Sequence, residues 1–459
     1  MQFQTLFRAA QDRPVQAALL GVGEFGLSLV AQARRMEGLE IRAGFDLDPA
    51  RVAAALSAMG VPHRRCASTA EAQAAYTAGE LALCERLDDL LTLKLDLVVE
   101  ATGHAEAGTA HAAAAIDAGI GVAMVSKEAE CVVGPALYRR ARAAGVAYTL
   151  VDGDQPALLI GLVSWARTLG LPIVCAGKSS EYDFVFDPAT DTTRWLERSV
   201  RAPQIGMIWD LGPDIPARVA ERAALLADLP QRTVPDSCEM ALVANATGLM
   251  PDGDAFHAPL AHTNELPDIY APRAAGGVLG RTGALDVFNC LRRPDEASFA
   301  GGVFVVVELA DRKTGELFAG KGIPVSRDRQ RALIYNPSHL LGVEAPMSML
   351  AAARLGHSVL DDGYRLHVDL VCRAATDLPA GHVLAIEGTR HAVPGLDPGL
   401  LPAVADGDET PLPYYMAVGR TLRRNVARGA LLRFADVTPP SGSMLWDLRR
   451  EQAALPRAA

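Results

Sequence analysis

The stretch AALLGVGEFGLSLVAQARR, residues 17–35, decides the fold that we predict for this chain. An apolar run of strand length leads into a loop with Gly21, Gly23 and Gly26, and a helical pattern follows. The first glycine permits a tight turn, the second lets the backbone approach a pyrophosphate, and the third allows a helix to pack closely on the sheet. Such a loop predicts a dinucleotide site, with the anion at the N-terminus of the following helix.

We also assign two further residues of this loop, Glu24 and Phe25, to cofactor binding. A carboxylate beside a pyrophosphate is repulsive, so the side chain of Glu24 is expected to point to solvent or toward the substrate. The alternative interpretation is a glycine-lined turn in an α/β domain that binds no nucleotide. The strand–helix units and the acidic residue that follow argue against it.

Asp46 bears on the choice of cofactor, because it follows Gly26 by twenty residues and ends the second predicted strand. A carboxylate there accepts hydrogen bonds from a ribose 2′-hydroxyl and repels a 2′-phosphate, which favours NAD. Arg51 lies a few residues later, within reach of a 2′-phosphate, so NADP stays open. The alternative for Arg51 is a solvated side chain in the first turns of the next helix.

Strand-length apolar runs alternate with Ala-rich helical segments through the first third of the chain. This alternation predicts parallel βαβ units and a doubly wound Rossmann sheet over residues 1–155. We expect a central α/β (α+β) domain for catalysis and dimerisation over 156–360, and a small β domain with a C-terminal tail over 361–459. Within the central domain, residues 179–300 are expected to be rich in loops. Residues 301–321 are expected to form two strands joined near DRKTGE.

Successive apolar runs of the N-terminal part end in polar or charged residues. Ligands bind at the carboxyl ends of strands in open α/β sheets, so these ends together predict a cleft. Lys127 would polarise a substrate oxygen, Asp154 would accept a proton and Lys178 would clamp an anionic group. Any one of these residues taken alone is better explained by helix capping or surface exposure. The strand-end residues are Glu100, Ala101, Thr102, Gly103, His104, Ser126, Lys127, Glu128, Asp152, Asp154, Gln155 and Lys178, of which Ala101, Thr102, Gly103 and Lys127 are also assigned to cofactor binding.

Two weaker catalytic candidates lie farther along the chain. Glu239 stands in the mostly apolar stretch DSCEMALVANATGLMPD, where a buried carboxyl group needs a partner or a shifted pKa, so it is either functional or paired. His339, in IYNPSHLLGVEAP, is a candidate proton donor or substrate ligand, and a histidine that caps the next helix is the alternative.

Composition excludes several classes of function. A net charge of −10 without a basic tract argues against nucleic-acid binding. The absence of a signal-type or membrane-length apolar stretch predicts a cytoplasmic protein without a membrane partner. Seven dispersed cysteines are typical of reduced thiols, and we assign none of them to chemistry. No HExxH-type or GxSxG motif is present, so the spacing supports neither a dedicated metal site nor a serine nucleophile.

Several motifs in one order resemble a known family. The opening βαβ unit, ATG, VSKEAE and DGDQP are similar to the nucleotide-binding half of homoserine dehydrogenase, in which a lysine that Lys127 matches lies near nicotinamide and substrate. DGDQPALLIGLVSWARTLG, AGK, ANATGL, NPSHLLGVEAP and AATDLPAGHVL resemble a narrower group, the homoserine-dehydrogenase-like oxidoreductases with a terminal SAF-type β domain. That group includes the 1-deoxy-D-xylulose 5-phosphate reductoisomerase-like enzymes of isoprenoid precursor synthesis. The resemblance covers nearly the whole chain.

This resemblance implies an NADPH-dependent reductoisomerase, or a related oxidoreductase that acts on a sugar phosphate, polyol phosphate or sugar acid. It also implies a homodimer and a divalent cation, Mg²⁺ or Mn²⁺, that polarises adjacent oxygens. One alternative is a homoserine-type or hydroxy-acid dehydrogenase that does not rearrange the carbon skeleton. A second is a nucleotide-sensing protein that has lost catalysis, against which the charged strand ends argue.

Overall fold

The computed structural model describes residues 2–8, 13–387 and 392–453. Its first sheet has seven parallel strands and begins the chain, as the glycine loop predicts. The strands are β1 (Val15–Leu20), β2 (Leu39–Phe45), β3 (His63–Cys66), β4 (Leu81–Cys84), β5 (Leu97–Glu100), β6 (Gly121–Met124) and β7 (Tyr148–Leu150), in the order β3-β4-β2-β1-β5-β6-β7. The helices are α1 (Phe3–Arg8), α2 (Glu24–Ala33), α3 (Pro49–Ala58), α4 (Thr69–Ala78), α5 (Leu87–Leu91), α6 (Ala105–Asp117) and α7 (Lys127–Ala144).

Both faces of this sheet are covered, because alternate residues of its central strand enter different cores. Ala17 and Leu19 of β1 pack in one core with Leu29 of α2. Ala18 of the same strand packs in the other core with Ala112 of α6. A strand buried on both sides has no polar face, which explains the continuous apolar runs of the sequence. The predicted Rossmann sheet is confirmed.

The second sheet is mixed and has nine strands. Strands β8 and β14 run parallel, and β15 runs antiparallel to β8 on its other side. The strands are β8 (Ile173–Ser179), β9 (Phe184–Asp187), β10 (Thr192–Trp195), β11 (Arg198–Arg201), β12 (Met250–Pro251), β13 (Leu260–Ala261), β14 (Ala284–Arg292), β15 (Val303–Glu308) and β16 (Arg331–Asn336). The helices are α8 (Gln155–Thr168), α9 (Gln204–Met207), α10 (Ile215–Leu225), α11 (Val234–Thr247), α12 (Leu266–Ile269), α13 (Arg312–Gly320) and α14 (Pro346–Leu355).

Residues 179–300 contain long connecting segments, as expected, but they also include the long helix α11 and the buried strand β14, which the sequence did not predict. Helix α11 is buried on almost every side, so its sequence lacks the amphipathic pattern that would mark a surface helix. One expectation for the central part is wrong. The DRKTGE stretch is not a turn between strands. Asp311 accepts a hydrogen bond from Thr314 N at 2.8 Å and caps the N-terminus of α13.

The chain returns to the N-terminal sheet after the central strands. Helix α14 packs beside β7 and α1, and its Met349 and Leu350 share a core with Leu19 of β1. The segment just before this helix thereby comes close to the glycine loop. The boundaries near residues 155 and 360 stay predictions.

The C-terminal part is a small β unit closed by a helix. Strands β17 (Val368–Ala374) and β18 (Leu396–Pro402) form an antiparallel pair, and the helices are α15 (Tyr414–Ala417) and α16 (Met444–Ala453). Helix α16 packs on α6 and α7, and Arg449 ties it to Asp369 and Asp406 through ion pairs of 2.7 and 2.8 Å. The SAF assignment stays a prediction. None of the helices that the structure describes has the length and apolar character needed to cross a membrane.

Candidate active site

The glycine loop between β1 and α2 has the backbone that a dinucleotide needs. Gly21 has a φ of +85°, and a Cβ there would lie 2.7 Å from the carbonyl oxygen of Ala101, so a side chain is excluded. A Cβ on Gly23 would meet nothing within 4 Å, which leaves open space at the N-terminus of α2. A Cβ on Gly26 would lie 3.2 Å from the carbonyl oxygen of Gly21, a tight contact that glycine avoids, and 3.5 Å from the Leu19 side chain. Glu24 is exposed.

The carboxylate of Asp46 lies beside this loop and braces it. Asp46 Oδ2 accepts a hydrogen bond from Val22 N at 2.8 Å, and Oδ1 accepts one from Asp48 N at 2.9 Å. Arg51 Nη2 donates to Asp46 Oδ2 at 3.2 Å and to Val22 O at 3.1 Å, while the Arg51 side chain stays 46% exposed. An acid and a half-exposed cation therefore share the position where the ribose of a dinucleotide is expected.

The loop after β5 forms the opposite wall. Gly103 has a positive φ, and its N–H donates to Ser126 Oγ at 2.8 Å. Thr102 Oγ1 donates to Glu100 Oε1 at 2.6 Å, which holds the loop on the buried end of the strand. His104 accepts a hydrogen bond from Ala107 N and so caps α6, which is the alternative to a role in the cleft. The backbone of Ala101 and Thr102 in this loop lies directly against Gly21.

This geometry fits NAD or NADP. The open Gly23 backbone at a helix N-terminus suits a pyrophosphate, and Asp46 with Arg51 suits the adenosine ribose. A nicotinamide ring would then lie toward Gly103 and the start of α7.

Lys127 begins α7 and projects between the two large domains. Its Nζ donates to Asp154 Oδ1 at 3.3 Å and to Glu239 Oε1, and the side chain is 23% exposed. Asp154 caps α8, where its carboxylate also accepts from Gln155 N at 3.0 Å. The structure thus brings together three of the predicted residues, from α7, α8 and α11.

Lys178 lies behind this group on β8. Its Nζ contacts Asp236 Oδ1 at 2.8 Å and donates to Glu239 Oε2, and its side chain is only 2% exposed. The role of Lys178 as a clamp for an anionic group stays a prediction. In this structure two carboxylates cover its ammonium group.

The electrostatics of the cluster follow from these contacts. Burial disfavours the charge on Lys127, but Asp154 and Glu239 outweigh it and raise the pKa of its ammonium well above the ordinary value. Burial would also raise the pKa of Glu239, but the two ammonium groups lower it to about 2. Lys127 is therefore a cation and Glu239 an anion at neutral pH.

His339 is half-buried and lies outside the cluster around Lys127. Its Nδ1 is 3.0 Å from Gly301 O. The following residues bridge the domains, since Ser28 Oγ of α2 donates to Leu341 O at 3.0 Å and Glu344 faces Asp152. Burial and the charge of Glu344 raise the pKa of Asp152 to about 6. No contact joins His339 to Lys127 among the described residues.

Asp236 was missed by the sequence analysis. It precedes Glu239 by three residues on α11, so both side chains lie on one helix face. Its Oδ2 accepts from Ser180 Oγ at 2.9 Å and from Thr233 Oγ1 at 2.6 Å. The signal was the spacing of two acids on a helix, but that helix was not predicted.

The divalent cation stays a prediction. The described residues contain no group of three or more His, Cys, Asp or Glu side chains placed to hold a metal ion. The carboxylates nearest Lys127 are already paired with ammonium groups.

Two family models match parts of the chain. Residues 21–150 match the NAD binding domain of homoserine dehydrogenase. Residues 153–209 and 224–345 match the catalytic domain of oxidoreductase DRL. The N-terminal sheet is therefore similar to an NAD-binding domain, and the central part is similar to an oxidoreductase catalytic domain.

Solved structures with partial likeness include three dinucleotide complexes. One is the WlbA dehydrogenase from Bordetella pertussis with NADH and UDP-GlcNAcA, at 19% identity over 37% of this chain and 47% of that one, with a TM-score of 0.28. Another is GenD2 from gentamicin A biosynthesis with NAD, at 19% identity, 37% and 44% coverage and a TM-score of 0.27. The third is 1-deoxy-D-xylulose 5-phosphate reductoisomerase from Zymomonas mobilis with NADPH, at 19% identity, 37% and 46% coverage and a TM-score of 0.27.

The chain spans less than half the length of each of these three structures. No curated protein matches it. The assignment rests on the two family models.

Proposed function

We propose that this chain reduces a carbonyl group of a sugar phosphate, polyol-phosphate-derived ketone or sugar acid with NAD(P)H, in the manner of the 1-deoxy-D-xylulose 5-phosphate reductoisomerase-like enzymes. The position of Lys127 carries the proposal. Its ammonium group is partly exposed beside the Gly103 wall of the dinucleotide cleft, and Glu239 of the DRL-type domain holds it there.

In the reaction, the reduced nicotinamide supplies a hydride to the carbonyl carbon when it is bound. Lys127 donates a hydrogen bond to the carbonyl oxygen and offsets the negative charge that develops on it. Because its pKa is raised, Lys127 acts as a donor and not as a base. Asp154, with Oδ1 3.3 Å from Lys127 Nζ, is placed to pass a proton to or from that ammonium group.

A substrate screen tests this function. Phosphorylated sugars, polyols and sugar acids are incubated with NADH and NADPH or their oxidised forms, with and without Mg²⁺. The absorbance of the reduced nicotinamide is followed over time. We expect turnover with at least one phosphorylated substrate. Cofactor binding without turnover across the panel would instead support a nucleotide-sensing protein.

The match of residues 21–150 favours a second candidate, a homoserine-type dehydrogenase without skeletal rearrangement. Product analysis separates the two, because rearrangement changes which carbons are bonded and simple reduction does not. Homodimer formation is part of the proposal, and light scattering of the purified protein tests it.

A further inference from the structure

Lys178 is the feature of the cluster that substrate contact does not explain. Its side chain is 2% exposed, against 23% for Lys127, so its ammonium group lies deeper than that of Lys127 and is shielded from solvent. A buried ammonium group is costly unless it is paired, and here it contacts two carboxylates.

The shared partner is Glu239, whose two oxygens point to different lysines. Oε1 accepts from Lys127 and Oε2 accepts from Lys178. The carboxylate charge is therefore divided between a buried cation and a partly exposed one.

The far side of Lys178 is fixed by Asp236. Ser180 and Thr233 each donate a hydroxyl hydrogen bond to Asp236 Oδ2, and Lys178 contacts Oδ1 at 2.8 Å. These contacts join strand β8 to the first turn of α11. Lys178 thus has little freedom to turn toward the cleft.

We propose that Lys178 is a positioning residue, which draws part of the charge of Glu239 away from Lys127 and so leaves the Lys127 ammonium free to turn to the substrate oxygen. The effect of Lys178 on catalysis rests on the proposed function, in which Lys127 contacts the substrate oxygen. The charge division itself is a property of the free protein and is measured without substrate.

Removing Lys178 then has a defined direction. In Lys178→Met, Glu239 retains Lys127 alone and a nearby positive charge is lost. Lys127 then forms a tighter ion pair, and less of it is present as the free amine that reacts with the label. In Asp236→Asn, Lys178 retains Glu239 alone and draws it away from Lys127, so Lys127 becomes more reactive. The charged groups that face this network are Asp154, Asp236 and Glu239, together with the two lysines and the neighbouring Glu128.

The test is competitive labelling of lysines with trace acetic anhydride between pH 8 and pH 10, read by mass spectrometry. Exposed Lys94 and Lys313 serve as internal standards. Relative to them, we expect Lys127 in Lys178→Met to label about tenfold more slowly than in the wild type, the factor for about one pKa unit. It should label faster than the wild type in Asp236→Asn and fastest in Glu239→Gln.

Unchanged or faster labelling of Lys127 in a folded Lys178→Met protein overturns the proposal, as does slower labelling in Asp236→Asn. If Lys178→Met does not fold, the Asp236→Asn result decides. Once a substrate is known, Lys178→Met should lower kcat at least tenfold, leave the Kd of the dinucleotide unchanged and move the alkaline limb of the pH profile upward, which a purely structural role would not do. A failed substrate screen with the expected labelling refutes only the proposed function.

Discussion

The dinucleotide loop and the lysine–carboxylate cluster lie in one cleft but are built differently. The loop uses main-chain geometry within residues 20–26, with Asp46 as a brace. The cluster uses side chains from α7, α8, β8 and α11, and Lys127 and Glu239 are 112 residues apart. The loop is local and tolerates little change of backbone, whereas the cluster depends on how the two domains meet.

The largest expected effect is on kcat when Lys127 of the cluster is replaced. Lys127→Ala removes the donor to the substrate oxygen and should lower kcat by about 10²- to 10³-fold. The Kd of the dinucleotide should change less than threefold or so, since the loop remains intact. Stopped-flow or steady-state kinetics and fluorescence titration measure the two quantities. The exposed Lys313→Ala serves as control, and equal losses in both variants would contradict the assignment.

A second prediction concerns Glu130, which lies one helical turn after Lys127 and is fully buried. Burial raises the pKa of its carboxyl group to about 7, although hydroxyl hydrogen bonds from Tyr148 and Tyr364 oppose the rise. The folded state therefore holds a proton that the unfolded state has lost. Stability that is present below about pH 4.5 falls as pH rises toward 7, by at most about 3 kcal/mol from this group.

Denaturation at pH 5 and pH 8 tests this contribution. The wild type should lose stability between the two values, and Glu130→Gln should lose less. Glu128, with a pKa raised to about 7 mainly by burial, contributes in the same direction and is unchanged in the variant. An identical pH dependence in both proteins would show that Glu130 does not titrate in this range.

The third prediction concerns Gly21, the most constrained residue of the glycine loop. Gly21→Ala places a Cβ 2.7 Å from Ala101 O at a positive φ and should lower the free energy of unfolding by about 1–3 kcal/mol. Gly23→Ala has an ordinary φ of −82° and free space, so its melting temperature should stay near that of the wild type. Both variants should bind dinucleotide more weakly. Equal stability of the two variants would contradict the close approach to Ala101.

The smallest effect addresses the choice of cofactor. Arg51→Ala should weaken NADP binding by about tenfold, the value of one charge-assisted hydrogen bond, and leave NAD binding nearly unchanged. Isothermal titration with both dinucleotides measures it. A parallel loss for both would mean that Arg51 serves only to brace Asp46, which its present hydrogen bond already does.

Much of the fold was predictable because its signals are local. The apolar runs, the glycine loop and Asp46 all lie within short stretches whose periodicity and turn chemistry reflect the backbone directly. Helix α11 was not predictable in the same way, since burial on nearly all sides removes the amphipathic pattern. Asp311 shows a milder failure, in which an N-cap residue was read as part of a turn.

Lys127, Asp154, Lys178 and Glu239 were each identifiable in the sequence by residue type and place, since charged residues at strand ends and in apolar stretches need an explanation. Their pairing was decided only by the folded chain. Which lysine is exposed, which is buried, and that one carboxylate serves both depend on the packing of α11 against β8 and α7, contacts between segments far apart in the chain. Ion pairs act over a few ångströms of space and leave no period in the sequence, so only the tertiary structure fixes them.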